Sequence, residues 1–147
     1  MQPSTEYLTL KQQLSGDGFL AIHVRGGDYL KKNSEYSRLS SAYYISGLST
    51  LSQIQGQLRT LVFTDDLKFA KHLLAKIPDL QFMESNLTAA ESMKLMSNAK
   101  GIVCANSTFS YWASIMSGES SSIVAPKNWM TNASKPASFF PEDWTII

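Results

Sequence analysis

The sequence has a single cysteine, Cys104, among its 147 residues. One thiol cannot form a disulfide within the chain, so the fold must depend on its core rather than on covalent cross-links. The class of small, disulfide-stabilised scaffolds is thereby excluded, and a reducing compartment is the expected environment. Because Cys104 lies inside the apolar run GIVCA, we expect it to be an inert core residue.

The sequence also has little net charge and no long apolar run. The formal net charge is +1, so no broad basic surface is expected for nucleic acid, and any anion must bind at a local site. No apolar stretch reaches the roughly 20 residues that cross a bilayer, and the N-terminal MQPSTEYLTL does not have the pattern of a signal peptide. With 44% apolar residues, the composition predicts one globular domain covering 1–147.

Several common functional motifs are missing as well. The chain contains neither G-x-G-x-x-G nor G-x-x-x-x-G-K-S/T, so neither standard nucleotide-binding loop is present. No Cys/His spacing typical of a metal site occurs, and the G-x-S-x-G turn of serine hydrolases is absent. These absences direct attention to sites built from residues far apart in the sequence.

Apolar runs of strand length alternate with stretches of helical spacing along the whole chain. The predicted strands are 19–24, 59–66, 80–85, 101–106, 121–126 and 144–147. The predicted helices are 5–14, 40–54, 67–77, 88–100 and 107–117. Such alternation predicts an α/β fold, a Rossmann-like parallel sheet with right-handed crossovers and helices on both faces.

Polar residues follow the carboxyl ends of five predicted strands. In open parallel sheets, ligands bind beyond that edge. In strand order, the residues are His23, Arg25, Asp28; Thr64, Asp65, Asp66; Glu84, Ser85, Asn86; Asn106, Ser107, Thr108; and Pro126, Lys127, Asn128. The sequence therefore predicts a ligand site at this edge of the sheet.

The segment IHVRGGDY at 22–29 carries the first group of these residues. Arg25 offers a planar fork suited to phosphate oxygens, and Gly26 and Gly27 allow a tight turn and a close approach of the backbone to a ligand. Asp28 either fixes the aim of Arg25 or bonds a sugar hydroxyl. His23 is either a ligand contact or a satisfied core histidine.

The segment CANSTFSYWASIM at 104–116 combines a strand end, small hydroxyl residues and the start of a helix. The first backbone N–H groups of a helix have no partners, and with the helix dipole they form an anion site. Ser107 and Thr108 add hydroxyl donors. Two interpretations remain open here: an anion site, or plain N-capping that needs no ligand.

The segment FTDD at 63–66 places two carboxylates directly after a strand. Asp65 and Asp66 are suited to ligate a divalent cation. Aspartate is also a good N-cap, and a helix is predicted to begin at Leu67. Capping is the preferred interpretation for at least one of the two.

Four segments together resemble the α-1,2-fucosyltransferases, and the bacterial members most of all. They are HVRGGDY at 23–29, VFTDD at 62–66, LMSNAKGIVCANSTFSYWASIM at 95–116 and IVAPKNW at 123–129, in the order of that family. The family's first motif is usually H-x-R-R-G-D-Y, and its third resembles A-N-S-T-F-S-W-W-A. The resemblance covers 19–147.

The resemblance implies an inverting glycosyltransferase that moves fucose from GDP-fucose to the 2-hydroxyl of a galactose-terminated glycan. No cofactor and no obligatory metal are expected. The family has two Rossmann-like lobes in the GT-B arrangement, and this chain resembles the C-terminal, donor-binding lobe alone, with the N-terminal acceptor lobe absent. The implied location is the cytoplasm, with peripheral association with the inner membrane left open.

The resemblance also implies roles for individual residues. Arg25 would hold the diphosphate, and His23 and Asp28 would help to seat GDP-fucose; these three are the expected catalytic residues. The backbone amides of Ser107–Phe109 would meet the phosphates. The full set of expected donor-binding residues is His23, Arg25, Gly26, Gly27, Asp28, Thr64, Asp65, Asp66, Asn106, Ser107, Thr108 and Phe109.

The sequence departs from the family pattern in three places. Gly26 replaces the second arginine of the usual pair, which removes one positive charge near the expected donor. Ser92, with Glu91 beside it, stands where an aspartate that could contact guanine is usual. The third departure is the absent N-terminal lobe. The Gly26 departure and the short length of the chain favour the alternative of a catalytically inactive, nucleotide-sugar binding or regulatory module.

A receiver-like phosphorelay domain is a third hypothesis, suggested by chain length, the strand–helix alternation and FTDD. Such a domain needs an acidic metal cluster and a lysine after the last strand, a position that Lys127 matches. The other strand ends do not supply the remaining acids, and HVRGGDY would have no purpose.

Overall fold

A computed structural model describes residues 2–32, 34–131 and 139–147. Within these residues there are six strands and five α-helices, and helix and strand alternate as far as the fifth strand. The strands are β1 Leu20–Val24, β2 Thr60–Thr64, β3 Leu80–Phe82, β4 Gly101–Val103, β5 Ser122–Ala125 and β6 Thr145–Ile146. The helices are α1 Thr5–Leu14, α2 Ser41–Gln55, α3 Leu67–Leu73, α4 Ala89–Met96 and α5 Thr108–Ile115, with a 3-10 helix at Gly27–Leu30.

The strands form one parallel sheet in the order β3-β2-β1-β4-β5-β6. The expected Rossmann-like α/β class is therefore confirmed. β1 lies at the centre, paired on one side with β2, where His23 stands opposite Phe63, and on the other with β4, where Ile22 stands opposite Val103. This order brings the segments that follow β1, β2 and β4 together at one edge.

Two hydrophobic clusters cover the two faces of the sheet. Alternate residues of a strand point to opposite faces, so Leu20, Ile22 and Val24 pack with buried residues of α2 and α3. Phe19 and Ala21 belong to the other cluster, which contains residues of α1, α4 and α5. His23 continues the second set, and its ring contacts Phe109 at the start of α5, with 5.1 Å between centroids.

Local capping explains where several helices begin. Ser40 accepts a hydrogen bond from the N–H of Tyr43 at the start of α2. Thr88 and Glu91 form a capping box at the start of α4. Each helix therefore begins within one residue of the predicted position.

Helix and strand ends differ more from the prediction. α4 ends at Met96 rather than at residue 100. The N–H groups of Asn98 and Ala99 donate only three positions back, to Leu95 and Met96, and the N–H of Lys100 donates to the carbonyl of Phe19, just before β1, at 2.8 Å. Gly101 is the first residue of β4, in agreement with the start of the predicted strand 101–106. The predicted loop 26–39 contains the short 3-10 helix.

Cys104 is buried, as expected, and lies against Ser110 and Ser114. Burial raises the pKa of its thiol to about 12, so it stays protonated and unreactive at neutral pH. In the part of the chain that the structure describes, no helix has the length and apolar character needed to cross a bilayer.

Candidate functional site

A cavity of about 380 Å³ lies at the carboxyl edge of the sheet, on the face that carries α4 and α5. Its walls come from the segments after β1, β2 and β3 and from the beginnings of α4 and α5. The lining residues are His23, Arg25, Phe63, Thr64, Asp65, Met83, Ser85, Leu87, Ala89, Ser92 and Phe109. The turn at Arg25 and the opening of α5 thus border the same cavity.

A larger concavity, of about 580 Å³, lies near the N-terminus of α2 and is bordered by Arg38, Tyr43, Pro126 and Asn128. Arg38 donates there to the carbonyl of Leu30, and the hydroxyl of Tyr43 donates to the carbonyl of Cys104. The smaller cavity is the better candidate, because it collects residues from three of the motifs and contains a buried polar group that has no partner in the described part of the chain.

Arg25 is held at the mouth of the cavity by two carboxylates. Its Nη2 donates to Oδ1 of Asp28 at 2.7 Å, and its Nη1 lies 2.7 Å from Oδ2 of Asp65. The guanidinium carbon lies 5.2 Å from the centre of the Tyr29 ring. Three neighbours therefore fix the direction in which the guanidinium points.

The two aspartates of FTDD have different partners. Asp65 accepts a hydrogen bond from the N–H of Gly26 at 2.8 Å, in addition to its ion pair with Arg25. Asp66 accepts from the N–H of Phe69 at 3.0 Å and so caps α3. The capping interpretation is correct for Asp66. In residues 2–32, 34–131 and 139–147, no group of three or more His, Cys, Asp or Glu side chains is placed to bind a metal.

The two glycines after Arg25 are needed for close packing of the turn. A Cβ atom on Gly26 would lie 2.6 Å from Cβ of Asp66, too close for any side chain unless the backbone moves. Gly27 has a φ of +54° and would place its Cβ 2.9 Å from Oδ2 of Asp65. An arginine at position 26, as in the usual family motif, therefore does not fit this turn as it stands.

His23 is buried in the floor of the cavity. Only 4% of its surface is exposed, and its Nδ1 has no hydrogen-bond partner among residues 2–32, 34–131 and 139–147. Burial, reinforced by the charge of Arg25, lowers the pKa of His23 from 6.5 to about 3. The ring is therefore neutral at physiological pH, a weak base, and suited to one hydrogen bond with a ligand.

The opening of α5 is a capped helix start beside the cavity. The hydroxyl of Ser107 accepts from the N–H of Phe109 at 3.3 Å, and Ser110 donates to the carbonyl of Ala105. The amide nitrogen of Asn106 donates to the carbonyls of Ser37 and Trp129, each at 2.8 Å. Asn106 therefore joins two loops, while Phe109 supplies the wall of the cavity.

The expected site residues divide into three groups. His23, Arg25, Thr64, Asp65 and Phe109 line the cavity. Those that adjoin it through the turn or a cap are Gly26, Gly27, Asp28, Asp66 and Ser107. Thr108 is exposed at the helix start, and Asn106 is buried between loops.

Sequence reasoning missed several apolar walls of the cavity, namely Phe63, Met83, Leu87 and Ala89. Phe63 and Met83 fall inside the predicted strands 59–66 and 80–85, and Ala89 falls inside the predicted helix 88–100, so each reads as an ordinary apolar residue of its element. Leu87 lies between two predicted elements. The sequence does predict Ser85 at the carboxyl edge of the sheet.

The side chain of Glu91 is not among the residues that line the cavity. Its carboxylate accepts from the backbone N–H of Ser4 at 2.7 Å and of Thr88 at 3.0 Å. These hydrogen bonds lower the pKa of Glu91 to about 2. Ser92, which does line the cavity, therefore offers a hydroxyl where the family pattern has a carboxylate.

A parallel sheet with a cavity over its carboxyl edge, an arginine at the mouth and a helix start alongside defines a Rossmann-like domain with a candidate ligand site. The model of glycosyl transferase family 11 matches residues 7–147. The chain belongs to that family, and the expected family relationship is confirmed.

Two curated relatives from Escherichia coli are similar over most of the chain. An alpha-1,2-colitosyltransferase is 32% identical over 141 residues, which is 87% of this chain and 47% of the relative. The O-antigen biosynthesis glycosyltransferase WbnK is 29% identical over 121 residues, 78% of this chain and 40% of the relative. The chain spans less than half the length of these relatives. Both relatives are named as sugar transferases, and neither name supports the hypothesis of a receiver-like phosphorelay domain.

Proposed function

We propose that this chain is the donor-binding part of an inverting glycosyltransferase that moves fucose from GDP-fucose to the 2-hydroxyl of a galactose-containing glycan. Family membership supports glycosyl transfer as the reaction class. The observation that carries the assignment to this chain is the shared cavity. Arg25, the buried His23 and the α5 residue Phe109 line it together.

Arg25 is the proposed contact for the diphosphate. When the bond between the sugar and the β-phosphate breaks, negative charge grows on the departing diphosphate. A guanidinium and a helix N-terminus stabilise that charge more strongly in the transition state than in the ground state. In this proposal the positive charge comes from Arg25 and α5 rather than from a metal ion.

The remainder of the cavity suits the nucleoside and the sugar. The apolar walls formed by Met83, Leu87 and Phe109 provide surfaces for flat or weakly polar rings. The hydroxyls of Ser85 and Ser92 offer hydrogen bonds between them. The unpartnered Nδ1 of His23 gains a partner if a ligand hydroxyl or N–H reaches it, which removes the cost of a buried, unsatisfied polar atom.

A proton acceptor for the attacking hydroxyl is the least constrained part of the proposal. His23 is a weak base because burial lowers its pKa to about 3. Asp28 is the better candidate within this chain, because its side chain is 55% exposed at the mouth of the cavity. A carboxylate there can meet an acceptor that arrives from solvent.

Calorimetric titration with GDP, GMP and ADP tests donor binding, and transfer from GDP-fucose to lactose tests the reaction. We expect GDP to bind most tightly, since it has both the guanine and the diphosphate. Transfer from a donor that carries colitose, the sugar in the name of one relative, is measured in parallel with transfer from GDP-fucose. Equal affinity for all three nucleotides would contradict the proposal.

A catalytically inactive nucleotide-sugar module is the second candidate. The observation that favours it is the packing of Gly26 against Asp66, which leaves no room for a second arginine. GDP binding without any transfer to lactose, by a preparation that includes every segment of the native protein, would support this alternative.

A further inference from the structure

Arg25 lies between two carboxylates whose charge exceeds its own. Asp28 and Asp65 each approach a different terminal nitrogen at 2.7 Å. One guanidinium and two carboxylates carry a formal charge of −1 together. A diphosphate that approaches this mouth meets a group that is net negative, although Arg25 is its intended partner.

The two carboxylates are held very differently. Asp65 is tied to the backbone as well, through the hydrogen bond from Gly26 to its Oδ1 at 2.8 Å, and the turn closes over its other oxygen at Gly27. Asp28 is more exposed, with 55% of its side chain accessible against 31% for Asp65. Among the residues that the structure describes, its carboxylate bonds to Arg25 alone.

We propose that Asp65 is the positioning residue that holds Arg25 at the cavity mouth, and that Asp28 is a releasable internal anion that leaves Arg25 when a diphosphate binds. This inference rests on the proposed function, since it assigns the anion to the same cavity. Asp28 accepts the hydrogen bond from Nη2 of Arg25 that a phosphate oxygen would otherwise accept, so the phosphate must displace Asp28. Asp65 stays, because breaking its contacts would also free the N–H of Gly26.

The two roles predict effects of opposite sign. Asp28→Asn weakens the competing ion pair and removes one negative charge, so a diphosphate should bind about threefold more tightly, the size expected of an exposed pair. Asp65→Asn keeps an acceptor for Gly26 but presents an amide to the guanidinium, so the same ligand should bind about tenfold more weakly. A site that merely required both carboxylates for folding would lose affinity in both variants.

The experiment is calorimetry on the complete chain with GDP, inorganic pyrophosphate and guanosine at constant ionic strength. Asp17→Asn is the matched control, because Asp17 is an exposed aspartate before β1, at the opposite edge of the sheet. We expect Asp28→Asn to tighten GDP and pyrophosphate, Asp65→Asn to weaken both, and Asp17→Asn to change neither. Guanosine, which has no phosphate, should bind all variants equally.

The outcomes separate this inference from the proposed function. GDP binding that Asp28→Asn weakens or leaves unchanged overturns the inference and leaves the proposed donor site standing. Failure of the wild-type chain to bind GDP removes both. If Asp65→Asn does not fold, as judged by its thermal unfolding, Asp28→Asn alone decides. A loss of guanosine affinity in a folded Asp65→Asn chain would show general damage to the cavity and would contradict a positioning role.

Discussion

Replacing Arg25 by alanine is the most direct test of the proposed donor site. The side chain is 32% exposed and is held by two ion pairs, so its loss removes a pre-oriented, charge-assisted contact with the diphosphate. Such contacts contribute about 2–3 kcal/mol. The variant should therefore bind GDP about 30- to 150-fold more weakly, at roughly 1.4 kcal/mol for each factor of ten.

The loss has a second component. Without Arg25, the carboxylates of Asp28 and Asp65 lose their counter-ion, and both then repel the phosphates. We therefore expect a loss of GDP affinity in the upper part of that range. Raising the salt concentration should reduce the difference in GDP affinity between the variant and the wild type, because salt screens the repulsion.

Calorimetry with GDP measures the effect, and Arg59→Ala is the control. Arg59 donates to the carbonyl of Gln13 at 2.7 Å and precedes β2, at the opposite edge of the sheet. We expect its removal to leave GDP affinity unchanged. If Arg25→Ala binds GDP as tightly as the Arg59 variant does, the diphosphate does not bind at this turn and the reasoning fails.

Three further predictions concern stability. Gly26→Ala should lower the free energy of unfolding by about 1–3 kcal/mol, because its Cβ overlaps Asp66; an unchanged denaturant midpoint would refute this packing. The folded-state pKa of His23 is about 3 against 6.5 when unfolded, so its contribution to stability is present above pH 6.5 and is lost as pH falls toward 3. The thermal midpoint of His23→Gln should therefore decline less in that window than that of the wild type, and parallel curves would contradict a buried neutral ring. Asn106→Ala should cost about 1–3 kcal/mol in chemical denaturation, whereas the exposed Asn98→Ala should cost under about 0.5 kcal/mol; equal losses would show that the two hydrogen bonds of Asn106 are not structural.

The order and type of the elements were predictable because they depend on short-range patterns. Continuous apolar runs of strand length marked the strands, and helix starts followed from capping residues within three or four positions, as at Thr88 and Glu91. Helix ends were less predictable. α3 ends at Leu73 and α4 ends at Met96. The end of a helix in this fold depends on where the backbone must turn to rejoin the sheet.

The site was predictable in its residues more than in their arrangement. The four motifs marked Arg25, His23 and the start of α5 as neighbours at one edge, and the cavity brings them together. The apolar walls at Met83 and Leu87 carried no signal, since an apolar residue in a predicted strand, or in the link to the next helix, cannot be told from ordinary core.

By itself the sequence determined the alternation of strands and helices, the family, and the polar edge of the sheet, since each follows from residues close together in the chain or from the order of motifs. Only the tertiary structure decided that Asp66 of FTDD caps α3 and that Asp65 forms the ion pair with Arg25. It also decided that His23 faces the cavity without a partner and that Gly26 has no room for a side chain. These properties depend on contacts between segments such as Gly26 and Asp65, which are 39 positions apart, and the geometry of such contacts is set by how the whole sheet packs.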